Sequence, residues 1–171
     1  MAKYIVYGLE GVLNVRIGIP VLAIVAFGCT TEGGNDDDPD FVFTDMETEV
    51  HDLINAHRDS IGLAPFTEEA AIGVESRLHS ENMLAGTTEF GHDGFEDRVD
   101  RIAETVFWVS TGENVATNQG FPDPVATAVE GWLDSPPHRD NIEGDFNLAG
   151  VGIAESADGL FFFTQIFALT E

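Results

Sequence analysis

Apolar residues recur at helical spacing from Met46 onward, and alternating, strand-like runs gather at the C-terminal end. Met46, Val50, Leu53, Ile54, His57 and Ile61 form the first stripe, opened by Thr44 and Glu47 at capping-box spacing and closed by Gly62. A second helix is expected from Thr67 to Ala85, with Ala71, Val74 and Leu78 on one face and Gly86 as its stop. Phe95, Val99 and Ile102 predict a shorter third. The fourth has Asp123 as N-cap, Pro124 at the first helical position, and Val125, Ala128, Val129, Trp132 and Leu133 as its stripe. Pro136 and Pro137 prevent its continuation. Leu148 to Ala154 and Leu160 to Leu169 read as a β-hairpin turning at Asp158-Gly159, and Thr105 to Val109 as a further strand. Helices first and hairpin strands last describe an α+β domain on an antiparallel sheet. No internal repeat is visible.

The N-terminal part has a different character. Ile17 to Gly28 is apolar and ends at Cys29. At about 20 residues for a membrane-spanning helix this run is short, but it suits a signal-peptide core behind Arg16. Gly28-Cys29 resembles a lipobox, where a prolipoprotein is cleaved and its cysteine lipidated. Ala26 and Phe27 depart from the usual residues, and Glu10 makes the preceding stretch an odd leader. The alternative is an uncleaved transmembrane anchor extending back to Tyr4. Thr30 to Asp40 has no apolar residue and reads as a solvated tether. The expected organisation is a leader over 1–28, a lipidated cysteine and acidic tether over 29–41, and a folded domain over 42–171. With Cys29 the only cysteine, no disulfide forms within the chain.

Acidic residues number 31 against 7 basic ones, for a formal net charge of −24, and Lys3 is the only lysine. Such a surface repels nucleic acid, whose binding needs cations to displace counterions from phosphate. Self-repulsion on this scale is relieved in concentrated salt, so a halophilic protein is expected; an ordinary acidic secreted protein is the alternative.

Of five histidines, His51, His57 and His79 fall on predicted helices, where a side chain is most often partly buried or solvated. His92, in Phe90-Gly91-His92-Asp93-Gly94, and His138, in Ser135-Pro136-Pro137-His138-Arg139, lie in Gly- or Pro-bounded chain expected to be irregular. Glu113, in Thr111-Gly112-Glu113-Asn114-Val115-Ala116, has the same character. Two imidazoles and a carboxylate can hold a divalent metal as zinc sites do, yet no HExxH motif is present. From the residues alone, a buried His–Glu pair that fixes loops and a chemically active centre both stand.

The ordered succession Gly112-Glu113-Asn114-Val115-Ala116, Trp132-Leu133-Asp134-Ser135-Pro136-Pro137-His138-Arg139-Asp140-Asn141-Ile142, Gly150-Val151-Gly152-Ile153-Ala154 and Thr164-Gln165-Ile166-Phe167 resembles the CAP superfamily. That group comprises the cysteine-rich secretory proteins, antigen 5 and the pathogenesis-related 1 proteins, and the likeness is nearest to its prokaryotic branch. Asn55-Ala56-His57-Arg58, His79 to Met83 and Phe90-Gly91-His92 fit the same order, so the likeness runs from Val50 to Phe167. It implies a three-layer α-β-α sandwich with a central antiparallel sheet and a cleft carrying two His and two acidic residues, zinc lying between the histidines in some members. His92, Glu113 and His138 match three of those positions. The fourth, a glutamate in animal members, falls on Ser135, with Asp134 adjacent. The eukaryotic disulfides are absent, and Phe162-Phe163 replaces an aromatic-Trp pair.

Two functions follow. One is a surface-displayed binding or interaction module, lipid-anchored at Cys29, taking a small apolar or peptide ligand in the cleft, with a divalent ion, zinc foremost, between His92 and His138. The other is a metal-assisted hydrolase of peptidase type, with His92 and His138 on the metal and Glu113 as general base. No nucleophile–base pair is legible around Ser110, Ser135 or Thr164.

Overall fold

A computed structural model describes residues 41–171; Cys29, the apolar run before it and the tether lie outside the described residues. The first helix, α1 (Asp45–Ser60), opens as its sequence dictates. Thr44 accepts from the Glu47 backbone N–H while the Glu47 carboxylate accepts from the Thr44 N–H, a reciprocal capping box. Val50 and Ile54 face the core.

A short strand, β1 (Thr67–Glu68), pairs in parallel with β3 (Leu148–Glu155). This corrects the expected start of the second helix. The Thr67 and Glu69 amides donate to Asn147 O and Ala149 O, so α2 (Ala70–Ala85) cannot begin until the pairing is finished. The helix ends at Gly86, whose φ of 70° suits glycine.

After α3 (Phe95–Ile102) the predicted strand over Thr105–Val109 is not formed. The amides of Thr105 and Val106 turn back to Ile102 O, and the Trp108 indole donates to Val99 O. Alternation survives, with Val106 inward and Phe107 and Val109 exposed, but the backbone of Thr105 and Val106 is bonded to α3, and the segment reaches the sheet only at its end, where the Val109 amide donates to Leu169 O. The ladder starts at β2 (Ser110–Gln119), which pairs antiparallel with β4 (Leu160–Leu169).

Asp123 caps α4 (Pro124–Asp134) through the Ala126 amide, with Pro124 in the first turn as expected. The Pro pair ends α4 and then starts α5 (Pro136–Ile142), because proline at N1 and N2 has no N–H to lose. β3 and β4 close the fold as the predicted hairpin, turning through Gly159 at φ 74°.

The sheet order among the described residues is β1-β3-β4-β2, antiparallel except for β1. One face packs Val50, Ile54, Val125, Val129, Trp132 and Ile142, from α1, α4 and α5, against Phe163 and Phe167 of β4. The other packs Ile72 and Ile102, from α2 and α3, against Ile166 and Ala168. The strand period of two thus sends alternate β4 side chains to opposite helical layers, and the result is the expected three-layer α-β-α sandwich.

On its α2 side the fold is held by close approach more than by apolar bulk. A Cβ on Gly150 would come within 2.4 Å of the Gly73 nitrogen, and one on Gly152 within 1.9 Å of the Arg77 nitrogen. Ser76 and Ser80 donate to the carbonyls of Gly150 and Gly152 across this seam. The predicted face of Ala71, Val74 and Leu78 is therefore not the inner one: Leu78 is exposed, and Ile72, Ser76, Ser80 and Met83 are buried.

β2 lies at the edge of the sheet among the described residues, and two of its carbonyls are taken by side chains. Val115 O accepts from the Trp132 indole at 3.1 Å, and Glu113 O from Asn141 Nδ2 at 3.2 Å.

Candidate functional site

The site assembles around Glu113, which stands on β2 and not in the irregular chain expected for it. Glu113 pairs in register with Ile166, so its side chain leaves the sheet on the α2 and α3 side. Its carboxylate is 2% exposed there, and Arg98 of α3 grips it twice, Nε to Oε2 at 3.0 Å and Nη2 to Oε1 at 2.8 Å. A planar guanidinium fork matches a carboxylate in this bidentate way.

His92 lies in the loop between α2 and α3, as expected. Its Nδ1 is 2.9 Å from Glu113 Oε1, and its side chain is 9% exposed. An ionised carboxylate only accepts, so Nδ1 carries the proton in this contact. The loop is pinned from below. Arg98 Nη1 donates to Asp93 O at 2.9 Å, and His79 Nε2 donates to Gly91 O at 2.8 Å. Burial lowers the pKa of His79.

His138 stands on α5, a helix where irregular chain was expected. Its ring is buried, with Nδ1 2.9 Å from Ser135 Oγ and Nε2 lacking a hydrogen-bond partner among the described residues. Burial, reinforced by the nearby His92, pushes its pKa down to about 4, so the ring is neutral at ordinary pH. α5 is tied to β2 by an amide relay. Asn114 Nδ2 donates to His138 O at 3.1 Å, and Asn141 Nδ2 donates to Asn114 Oδ1 at 2.9 Å as well as to Glu113 O. Asp134 is exposed at the end of α4, while Ser135 joins the site through His138.

The structure therefore gathers His92 with Glu113 directly and brings His138 into the electrostatic range of His92, with Ser135 behind it. His51 and His57 stand elsewhere: His51 is buried against Asn55, and His57 pairs with Glu143 at 2.9 Å. Sequence reasoning missed Arg98, His79, Asn114 and Asn141 as parts of this cluster. A signal for Arg98 was present, since it falls between Phe95 and Val99 on a short amphipathic helix in a chain with few cations.

Among the described residues no three His, Cys, Asp or Glu side chains form a group able to hold a metal ion. Two imidazoles are what this region offers. His138 Nε2 fits such a role, being buried, neutral and without a hydrogen-bond partner among the described residues. Glu113 does not, because Arg98 and His92 occupy its oxygens.

Comparison with known proteins agrees with this architecture. The chain is 36% identical over 119 residues to a protein of Bacillus subtilis called uncharacterized membrane protein YlbC, a match covering 64% of this chain and 32% of that one. It superposes with a TM-score of 0.62 and 28% identity on an extracellular protein containing an SCP domain from Bacillus anthracis, over 73% of this chain and 40% of the other. An outer surface protein of Borrelia burgdorferi shares the fold at 18% identity and a TM-score of 0.61, over 76% of this chain and 97% of its own. The chain thus spans about a third of the curated relative's length. The model of the cysteine-rich secretory protein family, called CAP, matches residues 51–167, most of the folded part, and the chain belongs to that family.

Proposed function

We propose that this CAP domain is a surface-displayed binding module, held outside the membrane by lipid on Cys29, whose cleft takes a small apolar or peptide ligand beside His92 and His138. The carrying observation is that Glu113 is engaged by Arg98 and His92 together. A carboxylate held this way orients an imidazole, and both its oxygens are already engaged where a general base would have to reach its water. For an apolar ligand, Phe90 and Phe162 offer half-buried rings 6.1 Å apart in the chain just before His92 and on β4. Display outside the cell draws on the extracellular and membrane descriptions of two relatives. No helix among the described residues is long and apolar enough to cross a membrane.

A divalent ion, zinc foremost, would be held by His92 and by Nε2 of His138 and would supply Lewis acidity to whatever completes its coordination. Glu113 and Ser135 then serve as outer partners that orient the two rings, as hydrogen-bond acceptors behind histidine ligands do in metal sites. The hydrolase reading needs Glu113 released from Arg98, and no described contact favours that.

Protein purified without chelator is expected to carry close to one zinc per chain by elemental analysis, and His138→Ala to lose it. Glu113→Gln separates binding from hydrolysis. Unchanged absence of turnover across a peptide library, for both proteins, supports the module. Cleavage by the wild type that vanishes in Glu113→Gln overturns it. For the anchor, the mature mass should begin at Cys29 with added acyl chains; an unprocessed N-terminus would defeat that part.

A further inference from the structure

Ser135 is the N-cap of α5, yet its side chain makes no cap hydrogen bond. A capping hydroxyl ordinarily accepts from the N–H at N2 or N3. Here N1 and N2 are Pro136 and Pro137, which have no N–H, and the Ser135 oxygen lies instead 2.9 Å from Nδ1 of His138. The other ring nitrogen, Nε2, is buried without a hydrogen-bond partner among the described residues.

We infer that Ser135 is a positioning residue that lets His138 adopt either tautomer, so that its unpartnered Nε2 takes a divalent cation in one state and an oxygen acceptor in the other. A hydroxyl both donates and accepts. When Oγ–H donates to Nδ1, the ring proton sits on Nε2, which is then a donor that fits a carbonyl or carboxylate of a peptide. When Nδ1–H donates to Oγ, Nε2 keeps its lone pair, fitting a metal ion. The two states hold the same number of protons and differ only in where one sits.

His92 has no such freedom toward its partner. Glu113, locked by Arg98, accepts only, and so fixes the proton on Nδ1. One ring is set and the other is convertible, because one leans on a carboxylate and the other on a hydroxyl.

The metal half of this inference rests on the binding-module reading; the tautomer half does not. The test uses protein labelled with ¹⁵N at histidine, with the tautomer of His138 read from its ring nitrogens, alone and with zinc chloride or acetyl-dipeptide added. Wild type should shift toward the Nδ1–H form with zinc and toward the Nε2–H form with the peptide. Ser135→Asp should lock the Nδ1–H form and tighten zinc on the order of tenfold, and Ser135→Ala should weaken it comparably, the scale on which partners of metal-binding histidines act. Ser135→Thr, which keeps the hydroxyl, should match wild type. Loss of the side chain removes no cap bond, so the Ala protein should fold. An identical His138 tautomer in the Asp, Ala and wild-type proteins overturns the inference. Altered tautomers with no zinc bound by any protein uphold Ser135's role and overturn the metal site instead.

Discussion

Arg98 and Glu113 are each nearly inaccessible to solvent, so neither charge is tolerable without the other. Arg98→Met should cost about 3–5 kcal/mol in urea unfolding, because it strands a buried carboxylate, and pairing it with Glu113→Leu should restore much of that loss. A cost under about 1 kcal/mol for the single variant would mean that water solvates Glu113 directly. Acid acts on the fold through the buried imidazoles. His138 titrates at about 4 when folded and near 6.5 when unfolded, so between these values the unfolded chain holds a proton that the folded chain lacks. Stability from this group is complete above pH 6.5 or so and falls by about 1.4 kcal/mol per unit as the pH drops toward 4. Burial lowers His51 and His79 too, which adds in the same direction. The urea midpoint should therefore decline between pH 7 and 4.5; a flat profile would contradict it. His92, Glu113 and His138 were legible because they sit in an ordered set of short motifs. Arg98 was not, since its role depends on a partner on another element, and spacing within one helix cannot reveal that.

At the level of elements, the four longer helices and the C-terminal hairpin follow from caps, prolines and periodicity that the chain states openly. Two misreadings share a cause. The strand expected over Thr105–Val109 and the inner face expected for α2 were inferred from apolar spacing, while backbone contacts decided both. Where α2 meets β3 its side chains include Gly73, Ser76 and Ser80, small enough for the helix to rest on the backbone of that strand. A glycine in a strand signals such approach only when its opposite number is known. Gly152→Ala should accordingly reach or exceed the upper end of the usual overpacking cost of about 1–3 kcal/mol, measured as a fall in the denaturant midpoint. Gly120→Ala, with open space around it, tests the contrast: its cost should come from a φ of 79° alone and be smaller. Equal losses at the two positions would remove the close-approach account.

Across the whole molecule, a net charge of −24 leaves arginine scarce, and among the described residues Arg58, Arg77, Arg98 and Arg101 each hold buried chain or a buried carboxylate. Arg58 donates to Ala64 O, Ile142 O and Gly144 O; Arg77 holds the fully buried Glu47; Arg101 holds Glu75 in two contacts of 2.7 Å. Burial alone would raise the Glu47 pKa, but Arg77 and the amides of Thr44 and Ile153 outweigh it and draw it down. The cations stitch layers together and leave the outer acidic charge unbalanced. Raising KCl from 0.1 to 1 M shortens the Debye length from about 10 to about 3 Å, and the melting temperature should climb with it. A Tm indifferent to salt would refute the halophilic expectation.

The indole and amide lodged on the outer carbonyls of β2 have a consequence for recognition. A visiting extended chain lengthens a sheet by borrowing such carbonyls in sequence, and along Glu113–Val115 they are already spoken for. Whatever this protein meets on that flank has to be read through side chains and shape, and neighbouring copies have no zipper there with which to stack into fibres.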